Sequence, residues 1–198
     1  MTLAVRTLGG ADLDAALDEV ARLRIAVFRE FPYLYDGDLA YERRYLDTYR
    51  TSPRAILVGA FDGARLVGAA TGTPLGDHDA AFARPLEKAG FDIATTFYCA
   101  ESVLLPDYRG QGAGHAFFDA REAHARALGF THAAFCAVIR PPDHPARPAT
   151  YRDLAPFWRA RGYVPLHGAI ARFDWREIGE TRETTHDMQF WTRPLGRS

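Results

Sequence analysis

Residues 104–118 read LLPDYRGQGAGHAFF. An apolar run enters three glycines at alternate positions, Gly110, Gly112 and Gly114, and an apolar, helix-like segment leaves them. A strand that turns into a helix through such a loop leaves room against its backbone, because a Cβ would hold a neighbour away or forbid a positive-φ turn. The first N–H groups of a helix have no internal partner, and the helix dipole favours negative charge beside them. The loop therefore reads as a seat for a phosphate or pyrophosphate. The competing reading is a tight turn that lets the helix pack close on the strand.

The rest of the chain supplies elements on both sides. A short strand over 3–8 precedes an amphipathic helix, with Asp12 as its N-cap and Leu13, Leu17, Val20, Leu23 and Val27 at helical spacing. Pro32 breaks that helix, and a second runs over 39–50. Asp62-Gly63 between two apolar runs marks a hairpin. A polar insertion over 77–92 has room for a short helix. Strands follow over 95–106 and 131–139, with a helix ending at Gly129 between them. Four prolines in ten residues make 140–149 a loop. A helix over 150–162 and strands over 169–178 and 186–194 complete the chain. The order β-α-α-β-β-β-α-β-α-β-β describes one mixed α/β domain over residues 1–198.

Among phosphate-binding loops, a Walker A sequence needs Lys and Ser or Thr after its last glycine, and here His115 and Ala116 follow. A Rossmann fingerprint needs its third glycine one residue later, and an acid about 20 residues further on at a strand end. The pattern R-x-x-G-x-G/A behind an apolar strand is met in full by Arg109, Gly112 and Gly114. With these residues the chain resembles the Gcn5-related N-acetyltransferase (GNAT) family. ESVLLPDYRGQGAGHAFFDAREAHARALGF is similar to that family's central strand, turn and helix, and APFWRARGYVP to its later helix and following strand. The core resemblance covers residues 95–165.

The resemblance implies a fold: a central, mixed, twisted sheet with two splayed parallel strands, flanked by helices. It also implies a cosubstrate, acetyl-CoA, lying in the gap between those strands. Carried over position by position, Arg109, Gly110, Gln111, Gly112, Ala113, Gly114 and His115 would meet the pyrophosphate. Backbone groups around Ser102, Val103 and Leu104 would bond the pantetheine arm. The implied reaction is direct attack of a primary amine, of a small molecule or an amino terminus, on the thioester. A general base must take the amine proton, and a backbone N–H must meet the developing oxyanion. Glu101, the sole carboxylate in its strand, is the candidate base; otherwise it is a salt-bridged or rim glutamate. Tyr98 on the same strand reads as a half-buried aromatic. The family often protonates the departing thiolate from a tyrosine in the later helix, but Trp158 stands there, and indole N–H does not titrate usefully. Tyr151, at the expected helix start, is the substitute. The alternative is a CoA-binding sensor of the same fold without turnover, which the Trp158 replacement favours.

Phe31, Tyr33 and Tyr35 lie where the family builds its acceptor wall; they line an aromatic pocket or staple two helices. Arg140, His144 and Arg147 in the proline-rich loop read either an acceptor carboxylate, the CoA phosphates, or solvent. The seven histidines show no metal-ligand spacing, so no metal is expected. His124 and His132 read as surface or satisfied core residues. Cys99 and Cys136 sit in apolar strands and read as buried thiols of a reducing, cytoplasmic protein. A net charge of -1 argues against a nucleic-acid partner. No apolar run nears the roughly 18 residues of a membrane span, and the first residues carry no signal-peptide pattern. The aromatic C-terminal strands would fill core or a homodimer contact.

Overall fold

The structure is a computed structural model that describes residues 3–196. Eight strands form one mixed sheet: β1 (Ala4–Leu8), β2 (Ile56–Asp62), β3 (Arg65–Pro74), β4 (Thr96–Tyr98), β5 (Ser102–Leu104), β6 (His132–Val138), β7 (Val164–Trp175) and β8 (Thr184–Pro194). Their order is β1-β2-β3-β4-β6-β8-β7, with β5 also pairing β3. Every neighbouring pair is antiparallel except β4 and β6. The expected hairpin at Asp62-Gly63 joins β2 to β3.

Helices α1 (Ala11–Phe28) and α2 (Leu39–Thr51) cover one face of the sheet, burying Val20, Leu23, Leu46 and Tyr49 against Leu57, Ala69 and Val103. Helix α4 (Ala113–Ala127) covers the other with Phe117 and Phe118, joined by α5 (Ala155–Ala160) through Phe157 and Trp158. Each large side chain so buried contributes about 1.5–3 kcal/mol. The polar insertion does hold a helix, α3 (Ala80–Lys88), started by the Asp79 carboxylate accepting from the Ala81 N–H at 2.8 Å. Phe190 and Trp191 of β8 are core residues.

β7 and β8 start earlier than the sequence reading has them, at Val164 rather than 169 and Thr184 rather than 186, and three further boundaries differ. Helix α1 is capped two residues earlier: Gly10, at φ 53°, occupies the cap, and Asp12 instead pairs with Arg6 in the first turn. Helix α5 starts five residues late, because Pro156 inside a longer helix would lack one hydrogen bond and clash one turn back; the Asp153 carboxylate accepts from the Ala155 N–H at 2.9 Å instead. Tyr151 therefore sits in the loop ahead of the helix. Third, the single expected strand over 95–106 is broken into β4 and β5.

Candidate acetyl-transfer site

The break between β4 and β5 is a β-bulge. Thr73 pairs with Tyr98 and Ala70 with Ser102, leaving one more residue on the second strand than on β3. Thr71 meets two residues: its carbonyl accepts from the Ala100 N–H and its N–H donates to the Glu101 carbonyl, both at 3.1 Å. Such an insertion bends the strand and re-aims the following side chains. The parallel ladder of β4 with β6 ends there, at a 2.8 Å bond from the Cys99 N–H to the Ala134 carbonyl. Beyond it β5 bonds to β3 and β6 to β8, so the two strands part and a gap opens.

Backbone alternation decides what lines this gap. Glu101 and Leu105 bond to β3, and Val103 pairs with Ala69. Residues 102 and 104 therefore turn their N–H and C=O groups the other way, toward the gap. Val103, grouped with them in the sequence reading, gives its backbone to β3 and its side chain to the core. The Leu104 carbonyl accepts from Arg109 Nε at 3.1 Å, and the same guanidinium pairs with Glu30 at 2.9 Å.

At the far end of β5 the chain turns through Gly110 (φ 78°) and Gly112 (φ 89°), the latter capping α4 without any side-chain bond. A Cβ at either would meet nothing within 4 Å. Open space and left-handed backbone together explain both glycines. Gly114 differs: its φ is not positive and a methyl there would meet Phe157 of α5 only at an ordinary 3.5 Å, so neither the backbone nor crowding within the chain demands a glycine. The turn thus leaves the first N–H groups of α4 uncapped beside open space, which fits a pyrophosphate. Gln111 is tied to the Asp107 carbonyl at 3.2 Å. His115 Nδ1 lies 3.2 Å from Arg161 NH1, which brings a guanidinium to the helix start that sequence reasoning missed.

Glu101 projects onto the α1/α2 face and is 5% exposed. Its Oε2 accepts from Arg24 NH1 at 2.7 Å and from the Tyr45 hydroxyl at 3.1 Å, whereas Oε1 has no partner. Arg24 also binds the fully buried Glu42, so two carboxylates share one guanidinium. Burial pulls Arg24 down, but Glu101, Tyr45 and Glu42 outweigh it and hold the guanidinium well above its usual range. Burial, then the Glu101 charge, pushes the Tyr45 and Tyr49 phenols up. Next to them, His78 Nδ1 accepts from the Asp79 N–H at 2.9 Å, so its proton sits on Nε2, 3.4 Å from the Tyr49 hydroxyl. Burial lowers this imidazole to about 4. Arg24 and Glu42 announce themselves only as charges inside apolar stripes: Val20, Leu23 and Val27 flank one, Leu39 and Leu46 the other.

The remaining candidates are dispersed. Phe31 packs edge-on against Tyr151 at 4.7 Å and near His144 at 5.6 Å. Tyr33 lies against Phe28 and Trp175, and Tyr35 bridges to Glu177. The three aromatics thus stitch the α1–α2 loop to the proline-rich loop and to β7. Arg140 completes that seam, donating to the Pro32 and Tyr33 carbonyls at 2.6 and 3.1 Å. Arg147 stacks over Tyr151. No hydrogen bond or ring contact joins Tyr151 to Glu101 or β5 among the described residues, and burial raises its phenol. Trp158 packs edge-on against Phe135 and Trp191 in the core. Tyr98 is buried, its hydroxyl 3.1 Å from Cys136 Sγ, and both cysteines are free and buried. No helix among the described residues is long and apolar enough to cross a membrane, and no group of three metal-ligating side chains gathers there.

Solved structures share this architecture. yncA from Salmonella typhimurium, solved with its cofactor acetyl-CoA, matches at a TM-score of 0.62 with 12% identity, covering 100% of this chain and 96% of its own. The ribosomal-protein-S18-alanine N-acetyltransferase of Escherichia coli matches at 0.58 with 13% identity, over 100% and 96%. A GCN5-related N-acetyltransferase from Kribbella flavida matches at 0.60 with 16% identity, over 98% of each chain. Identities this low speak for the fold alone. No curated protein matches the sequence. The profile of the acetyltransferase (GNAT) family, however, matches residues 20–154, from within α1 to the start of α5, and so takes in the bulge, the gap and the glycine turn. The chain belongs to the GNAT acetyltransferase family.

Proposed function

We propose that the protein is an N-acetyltransferase that moves acetyl from acetyl-CoA to a primary amine of a small molecule or an amino terminus. Acetyl-CoA supplies the activated thioester; the chain's own groups bind it, orient it and manage protons. The uncapped N–H groups of α4 take the pyrophosphate, with Arg109 and Arg161 near by. Ser102 and Leu104 bond the pantetheine arm as a further strand, and the Ser102 N–H meets the thioester carbonyl where charge develops. The amine approaches from the α1/α2 face, along the seam carrying Phe31, Tyr33 and Tyr35.

The observation that carries this reading is the state of Glu101. One of its oxygens is fixed by Arg24 and Tyr45, and the other is buried without a partner at the point where the strands part. A general base needs that combination of fixed aim and free lone pair. Titration calorimetry with acetyl-CoA and CoA, followed by free-thiol release over a panel of amines, tests the activity. Glu101→Gln is expected to lower turnover by about 10²–10⁴-fold while leaving CoA affinity nearly intact. Equal loss of both would remove Glu101 from the base role. Trp158, a half-buried indole packed against the core where the family often has a tyrosine, favours a second reading, a CoA-binding sensor. Tight CoA binding with no amine-dependent thiol release would select it.

A further inference from the structure

Arg121 differs from the other buried charges. It lies on α4, is 1% exposed, and makes no ion pair among the described residues. Arg24 is matched by Glu42 and Glu101, and Glu122 by Arg126, Arg161 and Arg193. Arg121 instead meets neutral groups. Its NH1 donates to the Glu101 and Thr71 carbonyls at 2.9 and 3.2 Å, the two carbonyls of the bulge, and its NH2 donates to Ser102 Oγ at 2.8 Å. Nε has no partner, and the guanidinium rests on the Phe118 ring. Carbonyls spread a positive charge without cancelling it, and an uncompensated buried charge is costly. An apolar residue at this position, between Phe117 and Ala125 on the same helix face, would avoid that cost.

Ser102 shows where the charge is directed. It is solvent-exposed, its N–H turns toward the gap, and its hydroxyl oxygen already accepts from Arg121. The hydroxyl proton has no acceptor among the described residues. One residue therefore offers two donors, N–H and O–H, at the mouth of the gap, with a full positive charge behind the second.

We propose that the Ser102 hydroxyl, charged from behind by Arg121, holds the CoA sulfur as it leaves. Ser102 is then a catalytic contact and Arg121 its positioning residue. This rests on the acetyl-transfer reading. The amine nitrogen forms a bond to the acetyl carbon, the carbon–sulfur bond breaks, and its electron pair goes to sulfur. The amine proton goes to Glu101. Sulfur leaves as a thiolate that accepts a hydrogen bond from Ser102, and solvent protonates it after release. No phenol is required, which accounts for an indole at position 158.

The titratable groups around Arg121 do not neutralise it. Glu122, next on the helix, is claimed by three arginines and by the Tyr163 hydroxyl at 3.1 Å. The Glu101 carboxylate sits on the opposite face with Arg24. The Cys99 thiol, just past the end of β4, is raised by burial and stays neutral.

The test uses CoA itself and the full chain, and it reads the ionisation of the bound thiol by ultraviolet thiolate absorbance against pH. The wild-type complex is expected to titrate about one pH unit below the Arg121→Met complex, a tenfold difference in the thiolate-to-thiol ratio. Ser102→Ala is expected to move the midpoint the same way by about threefold in that ratio, and Arg121→Lys to recover part of the shift. Identical midpoints in wild type, Arg121→Met and Ser102→Ala, all binding CoA, would overturn the proposal. If Arg121→Met does not fold by circular dichroism, Ser102→Ala and Arg121→Lys decide in the same way. Failure of the wild type to bind CoA would overturn the acetyl-transfer reading, and this proposal with it.

Discussion

The two faces of the bulge carry opposite imbalances. On the α1/α2 face two buried carboxylates, Glu42 and Glu101, share the single guanidinium of Arg24. On the α4 face Arg121 has no carboxylate at all. One strand separates them, and its alternation turns the adjacent side chains of Glu101 and Ser102 to opposite faces. Proton removal from an amine is helped by negative charge, and departure of a thiolate by positive charge. On the proposed reading, a bulge that divides charge in this way would set a field along the direction in which electrons move during acetyl transfer. Charge balance over the whole molecule, a net of -1, gives no hint of it.

The largest effect expected on stability comes from breaking the negative side. Arg24→Met leaves two buried carboxylates with no cation and is expected to cost about 3–5 kcal/mol. Glu42→Gln does the reverse, leaving Arg24 and Glu101 matched one to one, and is expected to change stability by less than about 1 kcal/mol. Urea unfolding of the two variants beside wild type gives both numbers. A Glu42→Gln loss as large as that of Arg24→Met would mean that Glu42 is a needed partner of Arg24 rather than an excess charge, and the imbalance would vanish. Arg121→Met is likewise expected to stay within about 1 kcal/mol, because the Thr71 and Glu101 carbonyls keep their backbone partners when the guanidinium goes and the cost of its unpaired charge goes with it.

Legibility in the sequence was uneven for physical reasons. The glycine turn could be read because its residues have a local cause: left-handed backbone at Gly110 and Gly112 and an uncapped helix start. The hairpin, the apolar stripe of α1 and the end of α4 at Gly129 were legible on the same grounds. The bulge was not, since ESVLL differs from an unbroken strand only in its pairing with Thr71, which is 30 residues away in sequence. Nor did spacing reveal that Arg24, Glu42 and Glu101 meet, because α1, α2 and β5 are joined only in the folded chain. A charge within a buried stripe was the available signal, and Arg24, Glu42 and Arg121 all carry it. Tyr151 shows the converse error. A pattern read as continuous helix ignored what Pro156 does to the turn before it.

A smaller effect sharpens the comparison by titrating the negative side. His78 lies among Tyr45, Tyr49, Phe82 and Tyr98; burial holds it at about 4, with Asp79 raising it and Arg24 lowering it further. Its Nδ1 is occupied by the Asp79 N–H, so a second proton would have to displace that bond. The unfolded chain takes up the proton near pH 6.5, and the folded chain not until about 4. Stability is therefore complete above pH 6.5 and falls as the pH drops through this window. Between pH 7 and 5 the loss is expected to be about 1–2 kcal/mol, discounted for the partial exposure of the ring. Urea midpoints at the two pH values check it, with His78→Gln expected to flatten the slope by that amount. An unchanged slope in the variant would mean that the two carboxylates raise His78 enough to offset its burial, and that the negative side extends as far as the imidazole.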